Sequence, residues 1–177
     1  LFEDAQGLQD LIRQEHRKAH GIINGIDTEV WDPMTDIMLN DHYSRENVEE
    51  GKEKNKKWLC EEYGLNPELP LFAFIGRFAG EKGADMLPDI VRRSISETEG
   101  ALNILILGSG NPQIENTLKQ LQEEFHVNFA MDLGYKEALS HKIYAGADFL
   151  LMPSRVEPCG LNQMYAMRYG TIPIVRY

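Results

Sequence analysis

"DFLLMPSRVEPCGLNQMYAMRYGTIPIV", residues 148–175, holds a strand, a helix and a second strand in that order. The apolar run 149–152, in a strand predicted over 148–152, is short and stops at Pro153, as a buried strand does. A helix is predicted over 161–169, with Leu161, Met164 and Tyr165 on one face. A second apolar strand is predicted over 171–175. Between the first strand and the helix lies a loop with Arg155, Glu157, Cys159 and Gly160. That layout points a helix N-terminus at whatever sits above the strand.

The same alternation extends upstream. Strands are predicted over 71–76, 101–108 and 127–131, and helices over 83–95, 112–125 and 136–145. Strand and helix alternating in this way is the signature of an α/β fold: a Rossmann-like parallel sheet with helices on both faces. Right-handed crossovers then put every strand's C-terminal end on one edge. Before residue 71 the pattern is less regular. Residues 3–18 carry Leu8, Leu11 and Ile12 at helical spacing. Asn24-Gly25 is a turn signal, and "WDPMTD", 31–36, reads as a loop. Residues 44–63 predict an exposed charged helix, with Glu50–Lys54 and Glu53–Lys57 one turn apart. The absence of an initiator Met and a final strand that ends at the chain terminus lead us to expect a piece cut at both ends.

The 177 residues suffice for one large domain or slightly more. A net charge of −10 argues against a general nucleic-acid binder, which needs excess Lys and Arg. No apolar run is long enough to span a membrane, and no signal peptide is visible. Cys60 and Cys159 lie far apart and form no metal-like pair, which fits a reducing, cytoplasmic setting. His16, His20, His42, His126 and His141 are scattered, and no metal site is expected.

Ligands of open α/β sheets bind where strands end. The first such loop, "GRFAGEKG" (76–83), offers Arg77 and Lys82 among three glycines. It suits a phosphate or is simply a glycine-rich turn with solvated cations; it lacks the Gly-Lys-Ser/Thr of a P-loop. "LGSGNP" (107–112) reads as a tight turn with Asn111 capping and Pro112 opening a helix. Tyr135 follows Gly134 at a helix head, and either stacks on a base or packs half-buried. At Gly160 the helix start offers free N–H groups to an anion, and glycine allows close approach. Glu157 beside an anion site makes sense if it meets hydroxyls, or it serves the helix dipole instead. Cys159, without a nearby histidine in sequence, is read as structural or ligand-lining.

"GIINGIDTEVWDP", "GRFAGEKGADML", "LILGSGNP" and "LGYKEALSHKIYAGADFLLMPSRVEPCGLNQMYAMRYGTIPIVR" together resemble the bacterial glycogen synthases and plant starch synthases, in the family's order and spacing. The resemblance implies a GT-B glycosyltransferase, with two Rossmann-like halves facing across a cleft. Residues 1–70 would be the end of the N-terminal domain and the interdomain crossover. Residues 71–177 would be an incomplete C-terminal nucleotide-sugar-binding domain. The implied reaction is retaining transfer of glucose from ADP-glucose, as donor substrate, to the non-reducing end of an α-1,4-glucan. No cofactor, metal, nucleic acid or membrane is implied. By position, Arg77 and Lys82 would bind the donor phosphates, Tyr135 would stack on adenine, and Glu157 would face the glucose. Cys159 would line the ligand site. Gly160, Leu161 and Asn162 would supply donors at the helix start, and Asn24 would line the cleft near the sugar.

The sequence also departs from related retaining transferases. Where many carry a second Glu eight positions after the first, this chain has Tyr165, and glycogen and starch synthases also differ there. Asn162 stands where Thr is also familiar. The family's lysine-glycine donor loop and its Thr-Gly-Gly stretch fall outside residues 1–177, so the fragment alone is expected not to turn over. Two alternatives stay open: another retaining GT-B enzyme acting on sucrose or lipid, and a non-catalytic nucleotide-binding module. Tyr165 and "EPCGLNQ" weigh against the first, and Glu157 weighs against the second.

Overall fold

The structure, a computed structural model, describes residues 7–18 and 20–176. Two helices come first, α1 (Gln9–Gln14) and α2 (Val48–Tyr63). Then β1 (Leu71–Phe78), α3 (Leu87–Glu97), β2 (Asn103–Gly110), α4 (Pro112–Glu124) and β3 (Phe129–Leu133) follow in turn. The chain continues as α5 (Glu137–Gly146), β4 (Phe149–Met152), α6 (Leu161–Arg168) and β5 (Ile172–Val175). The strands form one sheet in the order β3-β2-β1-β4-β5, and every neighbouring pair is parallel. The expected α/β class is borne out.

Side chains alternate across the sheet and divide the core in two. Ile104 and Ile106 of β2 meet Leu87 and Val91 of α3 and Leu118 of α4. Leu105 and Leu107 turn to the opposite face, which also holds Leu59 of α2, Ile143 of α5 and Tyr169 just after α6. Both faces are covered, so the middle of β2 reads as a continuous apolar run rather than an alternation. Helix α3 buries Leu87, Val91 and Ile95, spaced four apart, and accepts Pro88 in its first turn, where no N–H is needed. Helix α4 starts as its sequence dictates: Asn111 Oδ1 accepts from Gln113 N at 2.8 Å, with Pro112 leading.

Some elements differ from expectation. β1 and β2 both run two residues further, because Arg77 pairs with Ser109 and Phe78 with Gly110. The glycine-rich stretch after β1 is not a flexible loop but two consecutive 3-10 turns, Gly80–Lys82 and Ala84–Met86. The N-terminal helix is described only over Gln9–Gln14, and residues 3–6 of the expected helix lie outside the described residues. Residues before the sheet share its core: Leu39, Tyr43, Leu59, Cys60 and Leu65 pack with Leu71 and Leu150.

Lys52 of α2 joins these parts. Its ammonium donates to Thr171 Oγ1 at 2.7 Å and to the carbonyls of Ala145 (3.0 Å) and Tyr169 (3.3 Å), where α5 and α6 end. A cation suits those helix C-termini. Burial nevertheless pushes its pKa from 10.5 down to about 8. The unfolded chain therefore holds more protons between those values, and this group's contribution to stability rises with pH there. Cys60 opposes it from pH 9 upward, since burial raises that thiol from 9.0 to about 11 and favours the folded state's retained proton at lower pH. Between pH 8 and 9 the Lys52 effect stands clear. Denaturant melts at pH 8 and 9 should show stability rising with pH in the native chain, and Lys52→Met should flatten that rise.

Candidate functional site

β1 and β4 lie side by side, yet the chain leaves β1 toward β2 and leaves β4 toward β5. This is the switch point at which open α/β sheets form a ligand crevice. A cleft of about 530 Å³ lies there. Its floor includes Gly76 and Gly108 at the strand ends, and Arg77, Lys82, Tyr135 and Asn162 line it.

Each of these comes from a different element. Arg77 projects near the end of β1, and its guanidinium pairs with Glu81 at 2.8 Å while remaining 74% exposed. Lys82 ends the first 3-10 turn. Its Nζ donates to Glu157 Oε2 at 2.6 Å, and Ser154 Oγ donates to the same oxygen at 3.1 Å. Both members of the pair are largely withdrawn from water, 29% and 22% exposed. Such an ion pair is screened less than a surface one. The spacing of 75 residues hides this contact from sequence reading, which assigned the two groups to separate parts of a ligand. Glu157 does not itself line the cleft; it reaches it through Lys82.

Tyr135 is 87% exposed, so its ring is not packed into a core. Asn162 Nδ2 donates to the Ile75 carbonyl at 2.8 Å, which ties α6 to the end of β1 and leaves one of the two amide hydrogens over. Gly160 opens α6 with φ 83°, and no side chain caps that start. Leu161, Gly160 and Cys159 lie beside the cleft rather than in its lining. Cys159 Sγ approaches the Asn24 carbonyl at 3.7 Å, so the crossover turn touches the helix-start loop.

Three aromatic walls escaped the sequence reading. Trp31, Tyr144 and Tyr165 all line the cleft. Trp31 is stacked between His141 and Tyr165, with ring centroids 3.8 Å away on either side. Its carbonyl accepts from Arg168 Nε at 3.0 Å, and Asp32 pairs with the same guanidinium at 2.6 Å. A Trp-Asp-Pro run in a loop was the available signal, but nothing local says which surface it meets. Burial, with Tyr135 and Cys159 adding to it, pushes the Tyr165 hydroxyl up. Among the described residues no group of His, Cys, Asp and Glu is arranged to hold a metal ion.

The family described as glycosyl transferases group 1 matches residues 69–176. Glycogen synthase of Flavobacterium johnsoniae is 56% identical over 172 residues, covering 97% of this chain and 36% of that protein. Starch synthase 2 of Arabidopsis thaliana is 42% identical over 180 residues, covering 98% of this chain and 22% of that protein. Among solved structures, the catalytic domain of starch synthase IV from Arabidopsis thaliana, bound to ADP and acarbose, matches with a TM-score of 0.89. It is 36% identical and covers 99% of this chain and 36% of that one. The chain thus spans 22% to 36% of the length of these relatives.

Two glycines of the 76–83 stretch separate backbone need from mere composition. Gly83 has φ 66°, and a Cβ there would collide with the Pro153 carbonyl. Gly80 has no atom within 4 Å of where its Cβ would be. Gly83→Ala is therefore expected to cost at least ~1–2 kcal/mol from the left-handed backbone alone, plus the collision. Gly80→Ala should stay close to the wild-type melting temperature. Thermal or denaturant melts of the two variants check this, and equal behaviour would show that the two loops do not meet as described.

Proposed function

The chain belongs to the group 1 glycosyl transferases, and from that membership we propose that it is the donor-binding part of a glycogen or starch synthase. The reaction is retaining transfer of glucose from ADP-glucose to the non-reducing end of an α-1,4-glucan. The observation that carries this reading is the Lys82–Glu157 pair beside the uncapped start of α6, at the mouth of the cleft. The identity to glycogen and starch synthases over nearly the whole chain supports it, as does the match to a starch synthase bound to ADP.

In this reading the nucleotide lies in the cleft, with adenine against the exposed face of Tyr135. Arg77 and Lys82 meet the two phosphates. Lys82 carries three N–H groups, so it can keep Glu157 while two others turn to phosphate oxygens. The first-turn N–H groups from Leu161 onward, with the positive end of the α6 dipole, receive the distal phosphate. Gly160 lets that phosphate approach the backbone, and the spare amide hydrogen of Asn162 adds a donor. Negative charge grows on the leaving ADP as the glycosidic bond breaks, and preorganised cations and N–H groups lower that barrier. Glu157 faces the glucose that the distal phosphate carries. Ser154 and Lys82 hold its carboxylate in place. Cys159 and Asn24 border the sugar end. The donor is a substrate, and the reading calls for no resident cofactor or metal. It places the protein in the cytoplasm, without nucleic acid or membrane partners; among the described residues no helix is long and apolar enough to cross a membrane.

In the full-length protein, Arg77→Ala and Lys82→Ala should each raise the barrier by ~3 kcal/mol, read as glucose incorporation into glycogen. Activity should survive a metal chelator. Wild-type turnover in the Lys82 variant would remove the assigned role. Base recognition is tested separately by calorimetry with ADP. Tyr135→Ala should weaken binding by about 1–3 kcal/mol, the usual range for base–aromatic stacking, whereas Tyr135→Phe should change it little. Glu157→Gln should cripple transfer and leave ADP affinity nearly intact, because the carboxylate serves the sugar rather than the nucleotide.

A further inference from the structure

The pairing of β1 with β4 ends early. Phe72 pairs with Phe149 and Ala73 with Leu150. Beyond them β1 continues against β2 alone, and Leu151 and Met152 of β4 pair only with β5. The backbone ladder therefore stops below the cleft, and no ladder bond between β1 and β4 fixes the distance between the loops that carry Lys82 and Glu157.

Other bonds cross that gap. Arg155 Nη1 and Nη2 donate to the two carboxylate oxygens of Asp85 at 2.5 and 2.8 Å, a bidentate fork. Nη1 also donates to the Gly80 carbonyl at 2.7 Å. The backbone N–H groups of Arg155 and Val156 both donate to the Glu81 carbonyl, at 2.8 and 3.2 Å. These bonds grip the chain on both sides of Lys82 and end at the residue before Glu157. The Asp85 carboxyl sits below the usual carboxylate range because it accepts hydrogen bonds from Arg155, so the fork stays charged near neutral pH.

We propose that Arg155 and Asp85 are positioning residues for the transfer step, clamping the loop after β1 to the loop after β4 so that Lys82 stays on Glu157 while the donor is bound. The inference rests on the function proposed above and adds to it two residues that touch neither cleft nor donor. The pair is 40% and 50% exposed. An ion pair of that kind contributes little to global stability, so its consequence is geometric. Arginine is the fitting residue, since a planar fork fixes direction as well as distance and a lysine point charge does not. Small misplacements of catalytic groups carry large rate penalties.

The test uses the full-length protein with Asp85→Ala, Arg155→Ala, the double variant, and Lys82→Ala for reference. Each single variant of the pair should lower kcat for glucosyl transfer roughly tenfold or more. Its dissociation constant for ADP and its melting temperature should stay close to wild type. The double variant should fall no further than the worse single, because the two residues act as one unit. Independent, multiplying losses would overturn the proposal. So would a joint loss of kcat, ADP affinity and melting temperature, which is the mark of a merely structural role. If the pair variants turn over at the wild-type rate while Lys82→Ala is inactive, the clamp is refuted and the proposed function stands. If Lys82→Ala turns over normally, the proposed function fails and the clamp falls with it.

Discussion

Two residue pairs, Phe72 with Phe149 and Ala73 with Leu150, make the whole backbone ladder between β1 and β4, and the candidate site depends on it. The contact is short but well anchored. The Phe72 and Phe149 rings stack at 4.7 Å. Just below, the Asp148 carboxylate accepts from Leu71 N and from Lys56 Nζ, both at 2.7 Å, which ties α2 to the base of both strands. The ladder holds at the base and stops, and a crevice lies above it where the chain leaves β1 toward β2 and β4 toward β5. A longer ladder would have closed the crevice with backbone bonds. The ladder brings the two loops side by side, and the bonds from Arg155 and Val156 to Gly80, Glu81 and Asp85 cross between them.

A second set of constraints fastens the segment before the sheet. Asp36 is buried, and its Oδ2 lies 2.6 Å from His141 Nδ1, which donates in the tautomer that carries a proton there. The Tyr169 hydroxyl donates to the same oxygen. Tyr43 in turn donates to the Tyr169 carbonyl at 2.8 Å. Buried polar groups so paired are costly to break, since each partner left behind is unsatisfied in a low-dielectric interior. Their effect reaches the cleft. His141 is one of the two rings that hold Trp31, so a carboxylate five residues after that tryptophan helps to set a wall of the candidate site. The site is therefore built from residues on both sides of position 70, in one continuous core.

Local signals carried the fold. Each strand from β1 onward was legible as a short apolar run, and the helices as periodic segments with caps such as Asn111-Pro112. The charged helix before them was legible from its ion-pair spacing, although its first turn is 3-10, over Arg45–Asn47. Those signals depend on neighbours within a few residues, which sequence displays directly. Arg77, Lys82 and Tyr135 were also legible as cleft residues, since strand-end loops are where such sheets bind, whereas Asn162 came only from the family resemblance. What escaped was non-local. Nothing around Trp31 foretells that it will slot between His141 and Tyr165. Nothing around Asp85 foretells Arg155. Even the glycine-rich stretch misled, because its composition suggests looseness, whereas Gly83 is there for a tight approach to Pro153.

Tyr165 shows how these non-local contacts bear on chemistry. It stands eight residues after Glu157, where many related retaining transferases carry a second glutamate. Here its ring lies flat on Trp31 and 5.8 Å from the Tyr144 ring. A carboxylate in that place would lie against the Trp31 face, which offers it no hydrogen bond. Tyr165 and Trp31 therefore belong together: the tyrosine is tolerated because the tryptophan stacks on it, and the tryptophan is held partly by the tyrosine. The resulting wall of Trp31, Tyr144 and Tyr165 is uncharged near neutral pH, and burial pushes both phenols further up. The charged side chains that line the cleft are Arg77, Lys82 and Lys136 against one carboxylate, Glu137. Of the two carboxylates nearest those cations, Glu81 pairs with Arg77 and Glu157 with Lys82. Cations therefore outnumber carboxylates in the cleft lining although the chain's net charge is strongly negative, which is the local field that the proposed donor phosphates would need.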